Sequence, residues 1–203
     1  MTNTKSRENW VVLLFSVYTF IWCILAISPV NRFNWALENI LIFFGLVLLV
    51  FVYKRIPLSN TSYTLLTIFL VLHTIGAHYS YQTPLDAWLD LKRAYYDRIV
   101  HFSFGFCFLL PAYQIIRFRY SLLRRSSILF ANISLLAASG LFELLEVWVV
   151  YLIAPQAGDL FLGLQGDPWD AQHDMQIALL GSIFTSCFLS LYLLINEKTT
   201  DPP

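Results

Sequence analysis

The chain has 203 residues, of which 58% are hydrophobic, 17% aromatic and only 13% charged. This composition excludes disordered and fibrous proteins and is typical of a chain that crosses a membrane several times. The formal net charge is zero, and because binding to nucleic acid needs a surplus of basic residues, no nucleic-acid partner is expected.

Six segments are apolar enough to cross a bilayer, which takes about 20 mostly apolar residues. Because backbone groups in lipid must be satisfied within their own segment, we predict that all six are helices. In the second segment Arg32, Trp35 and Glu38 precede the clean apolar part and indicate an interfacial start. The predicted spans are residues 10–29, 36–53, 63–82, 98–117, 127–152 and 171–195. The expected fold is therefore an all-α, six-transmembrane-helix bundle, with residues 1–203 in a single domain.

The distribution of lysine and arginine predicts how these helices are inserted. With the N-terminus in the cytoplasm, nine basic residues fall on the inner side of the membrane and four on the outer side. Because basic residues collect in cytoplasmic loops, we predict that both termini are cytoplasmic. The first segment is too long for the apolar part of a signal peptide, so we expect it to remain as the first transmembrane helix.

Two connections on the outer side are more than turns. From Pro84 to Tyr96, apolar residues at helical spacing are interspersed with charged ones, which predicts a short interfacial helix. From Ala154 to Trp169 there is no basic residue, and three glycines lie around an apolar triplet. We expect this glycine-rich loop to dip back over the bundle and present backbone groups to a ligand.

Acidic residues and histidines from four helices are predicted to meet at the outer side of the bundle. Pairs that are three or four residues apart share one face of a helix. Because a charged group that faces lipid costs about 3 kcal/mol or more, we expect these side chains to face one another across a wet cavity. They are Asp97 and His101 of the fourth helix, Glu143 and Glu146 of the fifth, Asp167, Asp170 and Asp174 at the start of the sixth, and His73 and His78 of the third.

Some of these residues also have structural interpretations. Asp167 before Pro168 is typical of a helix N-cap, which would put Asp170 at the third helical position. Capping and direct function are equally open for both residues. His173 points about 60° away from Asp170 on a helical wheel, so it either supports the site from outside or lies at the interface.

Two further alternatives concern the fourth and third helices. Asp97 is followed by Arg98, which allows an interfacial ion pair between neighbours. His73 and His78 diverge by about 140° on a straight helix, so at most one of them reaches the site unless Gly76 bends the segment.

The residue types in this cluster favour a divalent metal ion. Sites with many carboxylate oxygens and one or two imidazoles suit Mg²⁺, Mn²⁺ or Ca²⁺, and with more histidine Zn²⁺ or Fe²⁺. The metal would cancel repulsion between carboxylates and lower the pKa of a bound water for hydrolysis. The predicted ligands are Asp97, His101, Glu143, Glu146, Asp170 and Asp174, of which Glu143, Glu146 and Asp174 are also candidate catalytic groups. The candidates for supporting the ligands or contacting substrate are His73, His78, Gln165, Asp167, Trp169 and His173.

We therefore expect a metal-dependent hydrolase or transferase that acts near the outer leaflet on a lipid-linked or envelope substrate. One alternative is an ion- or proton-coupled transporter, and another is a non-catalytic membrane protein whose polar network holds the bundle together. A transport path requires polar residues that continue into the inner half of the bundle. Beyond Asn132 and His73 they do not continue, which favours a pocket.

From the third predicted helix onward the sequence resembles the YjdF-like bacterial inner-membrane proteins. The resemblance rests on His73-x-x-Gly76-Ala77-His78-Tyr79, Tyr96-Asp97-Arg98-x-x-His101-Phe102-x-x-Gly105, Glu143-x-x-Glu146-x-Trp148 and Gly163-x-Gln165-Gly166-Asp167-x-Trp169-Asp170-Ala171-Gln172-x-Asp174-Met175. It implies a multi-pass protein of the bacterial inner membrane and does not name a reaction. A fainter similarity to VanZ-like proteins, which are associated with glycopeptide resistance, implies the same site through Asp97, His101, Glu143 and Asp174.

Overall fold

The computed structural model describes residues 4–89, 95–152 and 167–198, and most of these residues are helical. This part of the chain contains no strand, so the all-α prediction is confirmed there. The glycine-rich loop, including Gln165, lies outside the described residues. The helices are α1 Thr4–Leu25, α2 Arg32–Arg55, α3 Asn60–Tyr79, α4 Pro84–Trp88, α5 Tyr96–Tyr120, α6 Arg124–Leu152 and α7 Asp170–Lys198.

Five of these helices have the length and composition needed to cross a membrane, namely α1, α2, α5, α6 and α7. The sixth predicted span corresponds to α3, which has 20 residues and is therefore about 30 Å long. Threonine, serine and histidine recur along it. It packs against α1, α2 and α5, so its polar side chains are covered by protein on several sides.

Helix α2 begins earlier than the sequence predicts. Its N-cap is Asn31, whose side chain accepts a hydrogen bond from the backbone N–H of Asn34 and so satisfies one of the free donors at the helix start. The helix therefore begins at Arg32, four residues before the predicted span 36–53. Glu38 is only 3% exposed, so its side chain faces other parts of the protein.

The end of α3 is a left-handed turn. Ser80 and Tyr81 have φ angles of 50° and 58°, which is unusual for residues other than glycine and indicates stored backbone strain. The turn folds the Tyr81 ring back onto α3, where it lies over Gly76. A Cβ atom at Gly76 would be only 2.6 Å from Cε1 of Tyr81, so glycine is needed for this contact.

The connection after α3 contains a helix of five residues, Pro84–Trp88, and residues 90–94 of the predicted interfacial helix lie outside the described chain. Asp86 is buried, and its carboxylate accepts hydrogen bonds from the backbone N–H of Thr83 at 2.9 Å and of Tyr95 at 2.7 Å. Asp86 therefore ties the start of the connection to the start of α5.

Helices α5 and α7 pack closely because glycines lie at their contact. A Cβ atom at Gly105 would be 1.8 Å from the carbonyl oxygen of Ala178, and one at Gly181 would be 2.2 Å from that of Phe102. Small residues allow this kind of backbone approach between transmembrane helices. Gly105 lies one turn after His101 and Ala178 one turn after Asp174, so the close contact fixes those two side chains opposite each other.

Candidate functional site

An imidazole and two carboxylates converge where α5 and α7 begin. One ligand atom from each of Asp97, His101 and Asp174 lies within 4.8 Å of the other two. His101 Nε2 is 3.5 Å from Oδ1 of Asp97 and 3.9 Å from Oδ1 of Asp174. His101 and Asp174 are buried, and Asp97 is half-buried. The three predicted ligands are therefore close enough to share one cation.

Helix α6 adds a fourth group to this cluster. Glu143 is 8% exposed, and its Oε1 lies 3.8 Å from His101 Nε2 without a hydrogen bond to any other described residue. Glu146 follows one turn later and is half-buried.

Arg98 reaches across to the carboxylates of α7 and of the residues before it. Its guanidinium donates to Oδ1 of Asp170 at 2.5 Å, to the carbonyl oxygen of Asp170 at 3.1 Å and to Oδ2 of Asp167 at 3.2 Å. It also forms an ion pair with Asp174. Asp170 is 1% exposed, so this ion pair is buried. The sequence interpretation considered Arg98 only as a partner of Asp97 and missed these contacts.

Two residues near the start of α7 that were predicted to support the site lie on the outside of the bundle. Asp167 Oδ1 accepts a hydrogen bond from the backbone N–H of Trp169, and its Oδ2 bonds to Nδ1 of His173 at 2.8 Å. Trp169 is exposed and so is His173. Asp170 is the first residue of the helix, two places earlier than the predicted third position, because residues 168–169 form a turn.

A second polar group, which the sequence interpretation missed, is centred on Glu38. Its Oε2 lies 3.5 Å from Nε2 of His73, and the hydroxyl of Tyr81 lies 3.4 Å from Glu38 Oε2 and 3.0 Å from His73 Nδ1. Burial and the Glu38 carboxylate raise the pKa of Tyr81 well above its ordinary value. The available signal was the spacing of Asn34, Glu38 and Ile42, which are four residues apart and all buried on one face of α2.

The two histidines of α3 have different surroundings. His73 belongs to the Glu38 group, whereas Nδ1 of His78 is 2.8 Å from the carbonyl oxygen of Leu25. His73 and His101 both line one cavity of about 230 Å³, to which α2, α3, α5 and α6 all contribute. The polar residues of its wall are His73, Tyr81, His101 and Ser139. The cavity therefore connects the Glu38 group with the Asp97, His101 and Asp174 cluster.

Comparison with known proteins gives the family. The chain is 34% identical over 196 residues to the inner membrane protein YjdF of Escherichia coli (strain K12), covering 94% of this chain and 89% of that protein. No solved structure matches the chain. Residues 10–194 match the family described as "Predicted membrane protein (DUF2238)". The chain therefore belongs to the DUF2238 family of predicted membrane proteins.

Proposed function

We propose that this protein is a membrane-embedded, metal-dependent hydrolase or transferase that acts on a lipid-linked or envelope substrate near the outer leaflet. In this proposal one domain, residues 1–203, crosses the inner membrane six times, with α3 as the sixth span and both termini in the cytoplasm. The length of α3 and its cover by α1, α2 and α5 support the sixth span. The excess of basic residues on the proposed inner side supports the orientation.

The observation that carries the proposal is the convergence of Asp97, His101 and Asp174 within 4.8 Å, beside a buried Glu143 oxygen without a hydrogen bond in the described chain. Buried carboxylates need a proton, a hydrogen-bond donor or a cation. A divalent ion would satisfy Glu143 and link α5, α6 and α7 at one point. A bound metal ion would therefore account for the convergence of all four side chains.

The charge of the cluster also favours a cation in addition to Arg98. Among the described residues, Asp97, Glu143 and the three aspartates bonded to Arg98 provide five carboxylates in one region. One of them, Asp167, also contacts His173 Nδ1 at 2.8 Å. Asp97, Glu143 and Asp174 surround His101, and oxygen ligands of this kind suit Mg²⁺, Mn²⁺ or Ca²⁺, with Zn²⁺ as the choice if His101 dominates.

The proposed roles follow from these contacts. Asp97, His101 and Asp174 are the ligands, and Glu143 either completes the set or takes a proton from the metal-bound water. Glu146, one turn from Glu143 on α6, is the second candidate for either of these roles. Asp170 was also a predicted ligand, but its contact with Arg98 favours a role in positioning that guanidinium next to the substrate.

Transport is less well supported than catalysis. Deeper in the bundle Asn132 donates a hydrogen bond to Ser186 at 2.8 Å and accepts one from Ser182 at 2.8 Å. These uncharged groups satisfy one another and hold α6 to α7. They do not extend the acidic cluster toward the inner side, so the arrangement favours a closed site over a path.

Binding of Mn²⁺ to the purified full-length protein, followed by electron paramagnetic resonance, tests the proposal. We expect one ion per chain, with affinity weakened about tenfold or more by Asp97→Asn and by Glu143→Gln, as for changes around other metal sites. Glu8→Gln is the matched control because Glu8 is an exposed carboxylate near the start of α1. The same weak binding in the wild type and in all three variants would contradict the metal site.

A further inference from the structure

We propose that the cavity beside the acidic cluster holds the hydrocarbon chain of a membrane lipid, which enters sideways through a gap between α2 and α6. The placement of the lipid head at Asp97, His101 and Asp174 rests on the proposed function. The binding of the chain rests on the cavity alone.

The wall of the cavity has the chemistry that a hydrocarbon chain requires. Phe69 and Leu70 of α3, Phe104 and Phe108 of α5 and Phe142 of α6 line it. Phe69 packs edge-on against Phe104 and Phe108 with centroids 5.9 and 5.0 Å apart, so these rings form one rigid surface. The volume of about 230 Å³ exceeds the roughly 150 Å³ of an apolar cavity that binds benzene, so several methylene groups fit.

The cavity reaches the outside of the bundle between two small residues. Gly45 of α2 and Ala138 of α6 both line it and are both exposed. They lie about 20 Å along their helices from Arg32 and Arg124, which is near the middle of a bilayer. Helix α2 packs against α3, whereas α6 packs against α5 and α7, so within residues 4–89, 95–152 and 167–198 no extensive contact joins α2 to α6 across this gap. The medium on its outer side is lipid hydrocarbon.

The other end of the cavity is polar and leads to the cluster. His101 lines the cavity and is also one of the three converging ligands. Ser139 lies one turn before Glu143, is buried, and its hydroxyl has no hydrogen bond to another described residue. A lipid whose chain lies among the phenylalanines would therefore place the polar junction of its head between Ser139 and His101. Filling the cavity also recovers dispersion contacts that its wall otherwise lacks.

Photolabelling tests this proposal with a defined probe, a phosphatidylethanolamine with a diazirine in the middle of one acyl chain. The full-length protein is placed in vesicles that contain the probe, irradiated, and its peptides are mapped by mass spectrometry. We expect labels on Phe69, Phe104 or Phe108 in the wild type. We expect Gly45→Phe to remove them, because a side chain at Gly45 meets nothing within 4 Å and projects into open space. Val47→Phe is the matched control, since Val47 points to the opposite side of α2 and is 68% exposed.

A second variant, Ala138→Phe, blocks the gap from α6 and is informative even if Gly45→Phe does not fold. Labels confined to lipid-facing residues in the wild type, or cavity labels that survive both variants, would overturn the proposal. Mn²⁺ binding, measured on the same proteins, separates the two hypotheses. Cavity labelling without Mn²⁺ binding would reject the metal enzyme and keep the chain pocket, whereas Mn²⁺ binding without cavity labelling would reject the pocket alone.

Discussion

Arg98→Met is the substitution for which the contacts give the largest expected effect on stability. It removes the cation shared by Asp167, Asp170 and Asp174 but keeps a side chain of similar length. Asp170 and Asp174 are 1% and 2% exposed, and removing one member of a buried ion pair costs about 3–5 kcal/mol. For a chain of this size, about 1 kcal/mol lowers the Tm by about 2–4 °C, so we expect a loss of about 6–20 °C.

Tryptophan fluorescence during heating of the detergent-solubilised protein measures this change. Arg125→Met is the control, because Arg125 is exposed at the start of α6 and its loss should change the Tm little. The double variant Arg98→Met, Asp170→Asn should recover part of the loss, since both charged partners are then removed. A Tm within about 2 °C of the wild type for Arg98→Met, or no recovery in the double variant, would refute this reasoning.

The remaining predictions concern packing, pH and metal affinity. Gly105→Ala should sharply reduce folded yield, measured by size-exclusion chromatography, because the added methyl group meets the Ala178 carbonyl at 1.8 Å, whereas Gly45→Ala should not. Because the folded-state pKa of Tyr81 is raised, the stability that this protonated phenol contributes is present below about pH 10 and is lost as the pH rises further. Thermal unfolding across this range should therefore decline more steeply in the wild type than in Tyr81→Phe. Finally, Arg98→Met should bind Mn²⁺ more tightly than the wild type at a temperature at which the variant is folded, because a competing positive charge is gone. Equal or weaker binding would contradict that electrostatic argument.

Helix content was accessible from the sequence because long apolar runs leave few other structures in lipid. The grouping of Asp97, His101 and Asp174 was predictable for a similar reason, since polar residues at the same depth on neighbouring helices avoid lipid by facing one another. The start of α2 was not predictable in this way. It depends on a single side-chain bond, from Asn31 to the N–H of Asn34, which local apolarity does not reveal.

The arrangement of the helices beside one another could not be predicted from the hydropathy pattern either. Hydropathy gives the depth of Arg98 but not its neighbour, and its contacts with Asp170 depend on the glycine-mediated approach of α5 to α7. The Glu38 group depends in turn on two left-handed residues after α3, which direct Tyr81 back to His73. No periodic pattern of apolar residues encodes such a turn, because its contacts are polar ones from Tyr81 to His73 and Glu38.

The polarity of α3 has a consequence for how the protein is made. In the proposed six-span arrangement, α3 brings several threonines, two histidines and a serine into the membrane, and such residues need cover by protein there. Its cover comes from α1 and α2, which are synthesised before it, and from α5, which is synthesised after it. In that arrangement stable insertion of α3 depends on the later arrival of α5, and a nascent chain truncated before Tyr96 should be a substrate for membrane quality-control proteases.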